Sequence, residues 1–141
     1  MSTRMRPAVF VDTSAYLAVL KRDDDHHREA LAVVESLTRQ RAVLFTSNFV
    51  IAETHAMLLR YLGHEPARAF LQEMDDSRAT VVVRAEATDE VAARSIIYRY
   101  ADKDFSLTDA ISFAIMARLG LSQAFTFDKH FEQYGWRVLH P

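Results

Sequence analysis

Short apolar runs alternate along this chain with longer stretches in which apolar residues recur every three or four positions. AVFV at 8–11 is uninterrupted and apolar, the pattern of a buried strand, and TSAYLAVL follows it as a helix. The run DDDHHREALAVVESLTRQ places Ala30, Leu31, Val34 and Leu37 at helical spacing. AVLFTS at 42–47 is strand-like and turns at Ser47-Asn48, two good N-cap residues, into the helical stretch NFVIAETHAMLLRYL. Gly63 closes that helix, and EPARAFLQEMDD starts another with Pro66 in its first turn. ATVVVRA at 79–85 is β-branched and strand-like, and TDEVAARSIIYRYA predicts a helix with Thr88 as its N-cap. After the polar loop DKDFS a helix runs from Leu107 to Leu119 and stops at Gly120. SQAFTF, DKHFEQYG and WRVL read as a strand, a helical turn and a final strand.

This alternation predicts an α/β domain of three layers with a mainly parallel sheet. No linker, internal repeat or low-complexity stretch divides it, and only 3 Gly and 3 Pro occur, so residues 1–141 read as one domain. Neither G-x-x-x-x-G-K nor G-x-G-x-x-G is present, which argues against nucleotide binding by those loops.

In such a sheet the strand C-termini and helix N-termini meet along one edge, where ligands bind. Asp12 ends AVFV, Asp128 follows AFTF, and Asp109 opens the helix SLTDAISFAIMARL. Glu53 interrupts an apolar stripe: Phe49, Val50, Ala56 and Met57 are its neighbours three and four residues away. A glutamate there needs a buried ion pair, a metal ion or a place at the stripe's margin. Each aspartate has a plainer reading as a helix cap. Ser106-Leu107-Thr108-Asp109 fits a capping box, and Asp12 and Asp128 both lie between a strand and a helix. Gathered at one edge, the four acids repel one another unless a cation joins them, and a hard divalent ion with oxygen ligands suits that role.

Composition adds a few bounds. Absence of cysteine excludes disulfides, Cys-based zinc sites and thiol catalysis. No apolar run reaches the roughly 18 residues of a membrane span, and the N-terminus lacks the apolar core of a secretory signal, so cytoplasmic location is the expectation. The net charge of −2 is unusual for a nucleic-acid partner. Setting aside the four clustered acids leaves 15 acidic against 17 basic residues, a slightly positive remainder.

Other polar residues carry weaker signals. Asp104 in DKDFS reads as a solvated loop charge near the same edge, and Asp23-Asp24-Asp25 as a solvated helix start. The six histidines form no zinc pattern: His26 and His27 suit packing or capping, and His130, close to Asp128 and Lys129, suits a surface role before a contact with substrate. Ser14, Ser47, Ser106 and Thr126 are small hydroxyls beside the acids, though capping accounts equally well for Ser47 and Ser106.

FVDTSAYLAVL, TSNFVIAETHAML, DKDFSLTDAISFAIM and FTFDKHFEQYGWRVL together resemble the PIN-domain ribonucleases, with the VapC-type toxins of bacterial toxin–antitoxin pairs as the closest group. The resemblance spans essentially the whole chain, and its last two motifs are the most specific. It implies a three-layer α/β/α domain with strand order 3-2-1-4-5, dependence on Mg²⁺ or Mn²⁺, and hydrolysis of RNA phosphodiester bonds. By the same resemblance Asp12 and Asp109 are the surest metal ligands, and Glu53 and Asp128 complete the catalytic pocket. Lys103, Lys129 and Arg118 are expected to supply positive charge at its rim.

Competing chemistries fit less well. A haloacid-dehalogenase-like phosphatase needs a second acid two residues after the first, where Ser14 stands. A receiver domain shows adjacent acids near its first strand, which are missing here. A free-standing PIN nuclease in RNA processing shares the motifs of the toxin. Tyr16, Leu17, Leu20, Leu58, Leu59, Tyr61 and Leu62 exceed what one buried face requires. Part of that set is expected in the core, and the remainder in a groove for an antitoxin helix or a homodimer contact.

Overall fold

The computed structural model describes residues 6–140. The expectations that touch residues 1–5 and 141, namely the outer limits of the domain and the start of the N-terminal segment, lie outside that range. Five strands form a single parallel sheet, β1 (Ala8–Val11), β2 (Val43–Ser47), β3 (Thr80–Val83), β4 (Gln123–Phe125) and β5 (Arg137–Val138), in the order β3-β2-β1-β4-β5. Seven helices connect them: α1 (Thr13–Leu20), α2 (His27–Arg39), α3 (Asn48–Leu62), α4 (His64–Asp76), α5 (Ala87–Arg99), α6 (Leu107–Leu119) and α7 (Lys129–Tyr134). The three α/β/α layers are as the sequence pattern predicts, and the order 3-2-1-4-5 is as the family resemblance implies.

β1 lies at the centre because both its faces are apolar. Val9 and Val11 pack against Ala15, Ala18, Ala30 and Val33 from α1 and α2. Phe10, pointing the opposite way, joins Ile96, Ile111, Phe113 and Phe131 in the second core cluster. The strand therefore needs a helical layer on each side, which is why it reads as unbroken hydrophobic sequence. α6 is buried along most of its length, from Asp109 to Met116. A third cluster, Leu17, Leu58, Ala67 and Phe70, ties α1 to the α3–α4 pair.

Several boundaries differ from the sequence pattern. α5 starts at Ala87 with Glu86 as its N-cap, whereas Thr88 is exposed inside the first turn. The Glu86 amide donates to Asp89 Oδ2 at 2.8 Å, so a carboxylate one turn in moves the start of the helix two residues earlier. β4 stops at Phe125, which leaves Thr126 and Phe127 in the connection that carries the site.

From β1 the chain goes to β2 and β3 on one side of the sheet, and β4 and β5 occupy the other. The carboxyl ends of β1 and β4 thus flank the point where strand order reverses, the place where α/β sheets open a crevice. Asp12 follows β1 there, and Thr126 follows β4.

Candidate active site

Asp12 directly follows β1 and is the N-cap of α1. Its Oδ2 accepts hydrogen bonds from the hydroxyls of Ser14 and Thr126, each at 3.0 Å. Those hydroxyls in turn hold the β4–α7 connection, since Ser14 Oγ accepts from the Phe127 amide at 2.9 Å and Thr126 Oγ1 from the Asp128 amide at 3.0 Å. One carboxylate and two hydroxyls therefore fasten residues 12–14 to residues 126–128. The aspartate is only 4% exposed. Burial lifts its pKa to about 6, against the pull of the Thr126 and Ser14 hydrogen bonds, and the charge of Asp109 adds to the rise.

Asp109 serves a cap and a site together. Its amide donates to Ser106 Oγ and its Oδ2 accepts from the Ser106 amide, both at 3.0 Å, completing the capping box seen in the sequence. The same Oδ2 lies 2.9 Å from His130 Nδ1. Burial is the main cause of its raised pKa; the Ser106 amide opposes that and the Asp128 charge reinforces it. Asp128 caps α7, its Oδ1 accepting from the His130 amide at 2.9 Å and lying 3.2 Å from His130 Nδ1.

Glu53, on α3, is half-buried and accepts from the Thr13 hydroxyl at 3.4 Å. Burial raises its pKa first, followed by the charge of Asp109 and, less strongly, that of Asp128. No Lys, Arg or His pairs with it among the described residues, so the buried ion pair that its apolar neighbours suggested is not what the fold uses. Asp109 is the hub of the group, coupled by charge to Asp12, Glu53 and Asp128. The fold does bring the four acids expected from the sequence into one electrostatic cluster.

The rim differs from expectation. Arg118 sits at the far end of α6, nine residues and about 13 Å of helix from Asp109. It is bound there to Asp89 at 2.9 Å and to Glu86 at 3.5 Å, and so is no part of the acidic pocket. Lys103 pairs with Asp102 at 3.4 Å, while Lys129 is exposed beside Asp128. Asp104 stays exposed in its loop, as read. His130 is the residue that sequence reasoning undervalued, with a side chain only 18% exposed and aimed between two of the acids. Its signal was its position two residues after an N-cap aspartate, which turns the side chain back over the cap.

Asp109, Asp128 and His130 offer donor atoms that all lie within 4.8 Å of one another. Two carboxylates with a third donor, in a pocket where burial raises the pKa of Asp12, Glu53 and Asp109, fit a divalent metal ion. An apolar hollow lies elsewhere. It has a volume of about 550 Å³ and lies between α1, α2 and β2, lined by Tyr16, Val19, Val34 and Leu44 with Arg6 and Arg41 at hand. Among the described residues no helix is long and apolar enough to cross a membrane.

A parallel 3-2-1-4-5 sheet with acids gathered at its switch point defines a PIN domain, and the chain belongs to that family, whose pattern matches residues 9–137. Among curated relatives, the 23S rRNA-specific endonuclease VapC20 of Mycobacterium tuberculosis is 34% identical over 136 residues, spanning 94% of this chain and 98% of VapC20. The crystal structure of that protein, a Sarcin-Ricin loop cleaving toxin, superimposes with a TM-score of 0.88 at 32% identity, covering 94% of this chain and 99% of VapC20. FitAcB from Neisseria gonorrhoeae shares the fold, with a TM-score of 0.67 at 16% identity over 93% of this chain and 96% of its own.

Proposed function

We propose that this protein is a Mg²⁺- or Mn²⁺-dependent endoribonuclease of the VapC type, cutting ribosomal RNA in the cytoplasm under the control of an antitoxin. The observation that carries the reading is the coupling of Asp12, Glu53 and Asp128 to Asp109 at the switch point of the sheet, in a chain that aligns with VapC20 over nearly its full length.

Asp109 and Asp128, with His130 beside them, are the side chains that would hold the ion, and Asp12 and Glu53 would complete its surroundings. When bound, the ion supplies Lewis acidity that polarises the scissile phosphate and lowers the pKa of water at the site. Glu53 is half-buried with a raised pKa, which suits a base that takes a proton from the attacking water. Asp12 is oriented by Ser14 and Thr126, so its carboxylate does not need to reorganise during the reaction. Lys129 at the mouth meets the phosphate backbone. In-line attack leaves a 5′-phosphate and a 3′-hydroxyl.

Part of the apolar excess noted in the sequence supports a protein partner. Leu17 and Leu58 are core residues, whereas Leu20, Leu59, Tyr61 and Leu62 are exposed. These residues and the hollow between α1 and α2 suit an amphipathic antitoxin segment or a homodimer contact. The test is incubation of the purified protein with ribosomes and either ion, with the cleavage site mapped by primer extension. The reading requires a discrete cut in ribosomal RNA with the wild type and none with Asp109→Asn. Equal cutting by both proteins, or none by the wild type with either ion, would overturn it.

A further inference from the structure

His130 is the one nitrogen donor among the described residues that joins two site carboxylates, and its geometry bears on which ion the site prefers. Its Nδ1 stands 2.9 Å from Asp109 Oδ2 and 3.2 Å from Asp128 Oδ1. Ligand atoms at adjacent corners of an octahedron, each about 2.1 Å from the ion, are about 3.0 Å apart. The two separations therefore match adjacent coordination positions as well as they match hydrogen bonds. The ring is not free to turn away. It meets Phe105 edge to face at 5.5 Å and 83°, and the fully buried Phe131 anchors α7 immediately after it.

We infer that His130 Nδ1 is a direct ligand of the ion, and that this nitrogen makes the site favour Mn²⁺ over Mg²⁺. The inference rests on the metal-dependent nuclease reading above and goes beyond its acidic ligand set. Mg²⁺ takes oxygen donors and sheds its water reluctantly, whereas Mn²⁺, though also at home among carboxylates, is a first-row transition-metal ion that accepts an imidazole nitrogen more readily. As a ligand, His130 would present an unprotonated Nδ1 to the ion and keep the ring proton on Nε2.

Pulsed electron paramagnetic resonance on the full chain loaded with Mn²⁺ tests this directly, because a bound imidazole couples ¹⁴N to the manganese spin. The expected result is a ¹⁴N modulation in the wild type that is lost in His130→Gln. Calorimetry should then show Mn²⁺ affinity falling roughly tenfold in the variant, with Mg²⁺ affinity changing far less. Mn²⁺ that binds the wild type without ¹⁴N coupling overturns the inference and leaves the nuclease reading standing. So does a ¹⁴N signal that persists in the variant, or an equal loss of affinity for both ions. Failure of the wild type to bind either ion overturns the nuclease reading itself. The wild-type spectrum answers the question even if the variant does not fold.

Discussion

Arg118 holds Asp89 in a two-point fork, with Nε 3.0 Å from Oδ1 and Nη2 2.9 Å from Oδ2, and so joins the end of α6 to the start of α5. Asp89 is only 3% exposed, and the same carboxylate caps α5 through the Glu86 amide. The arginine's hydrogen bonds hold the Asp89 pKa below its ordinary value. Arg118→Met should destabilise the protein at neutral pH, since it strands the Asp89 carboxylate without its cation. A lowered folded-state pKa means that this stabilisation is present above the unfolded value near 4 and fades as pH falls through the folded value. Urea melts should therefore show wild type and variant converging in acid. RNA cleavage per folded molecule should be unchanged, as the pair lies at the far end of α6 from Asp109.

The acidic pocket has the opposite sign. With its pKa lifted to about 6, Asp12 holds its proton more tightly folded than unfolded. Its own contribution to the metal-free protein is then most favourable below about pH 4, falls as pH rises toward 6, and amounts to a constant penalty of about 2–3 kcal/mol above that. Asp12→Asn should flatten this slope and raise the metal-free melting temperature at pH 7.5 while removing cleavage. A wild-type melting temperature that rises between pH 4 and 6, and does so equally in the variant, would show that Asp12 is not the source.

Glu53→Gln keeps the volume of the side chain and removes a charge that Asp109 and Asp128 repel. Metal-free stability should stay level or increase, Mn²⁺ affinity should fall, and cleavage should slow. Calorimetry and thermal melts read the two effects separately. A loss of roughly 3–5 kcal/mol without metal would instead reveal a buried cation depending on Glu53.

Thr126→Val removes one of the two hydroxyls that fasten Asp12 to the β4–α7 connection and leaves the Asp128 amide without its acceptor. Thr126 is 1% exposed, so water cannot readily replace either bond, and the loss should be about 1–3 kcal/mol. The Thr126 bond is also the strongest influence lowering the Asp12 pKa, which should move above 6 in the variant. Carboxyl ¹³C titration would detect the shift, and an unmoved Asp12 would exclude the connection.

The sequence alone determined the order of elements and the places of the acids along them. AVFV could only be a doubly covered strand, because every position in it is apolar. A residue that follows a parallel strand lies at the sheet's ligand edge, which made Asp12 and Asp128 legible from sequence, while Asp109 was legible only as the acid that opens a helix. The Ser106–Asp109 cap was legible as well, being a contact across a single turn. Strand order was not, since the periodicity of β4 is the same beside β1 as beside β3; resemblance to a family supplied it.

Only the tertiary structure decided what each polar group meets. Ser14 and Thr126 are separated by 112 residues, and no local pattern joins them to one carboxylate. Arg118 carries the charge expected of a substrate-binding residue, but the packing of α5 on α6 delivers it to Asp89 instead. An ion pair was one of the readings open for Glu53, but among the described residues no cation pairs with it, because the elements around it bring further acids. His130 looked like a surface residue until α7 folded it against α6. Hydrophobic spacing records which face of an element is buried, and that is local information. Pairing among charges depends on which elements the whole chain brings together, and no single stretch of sequence contains it.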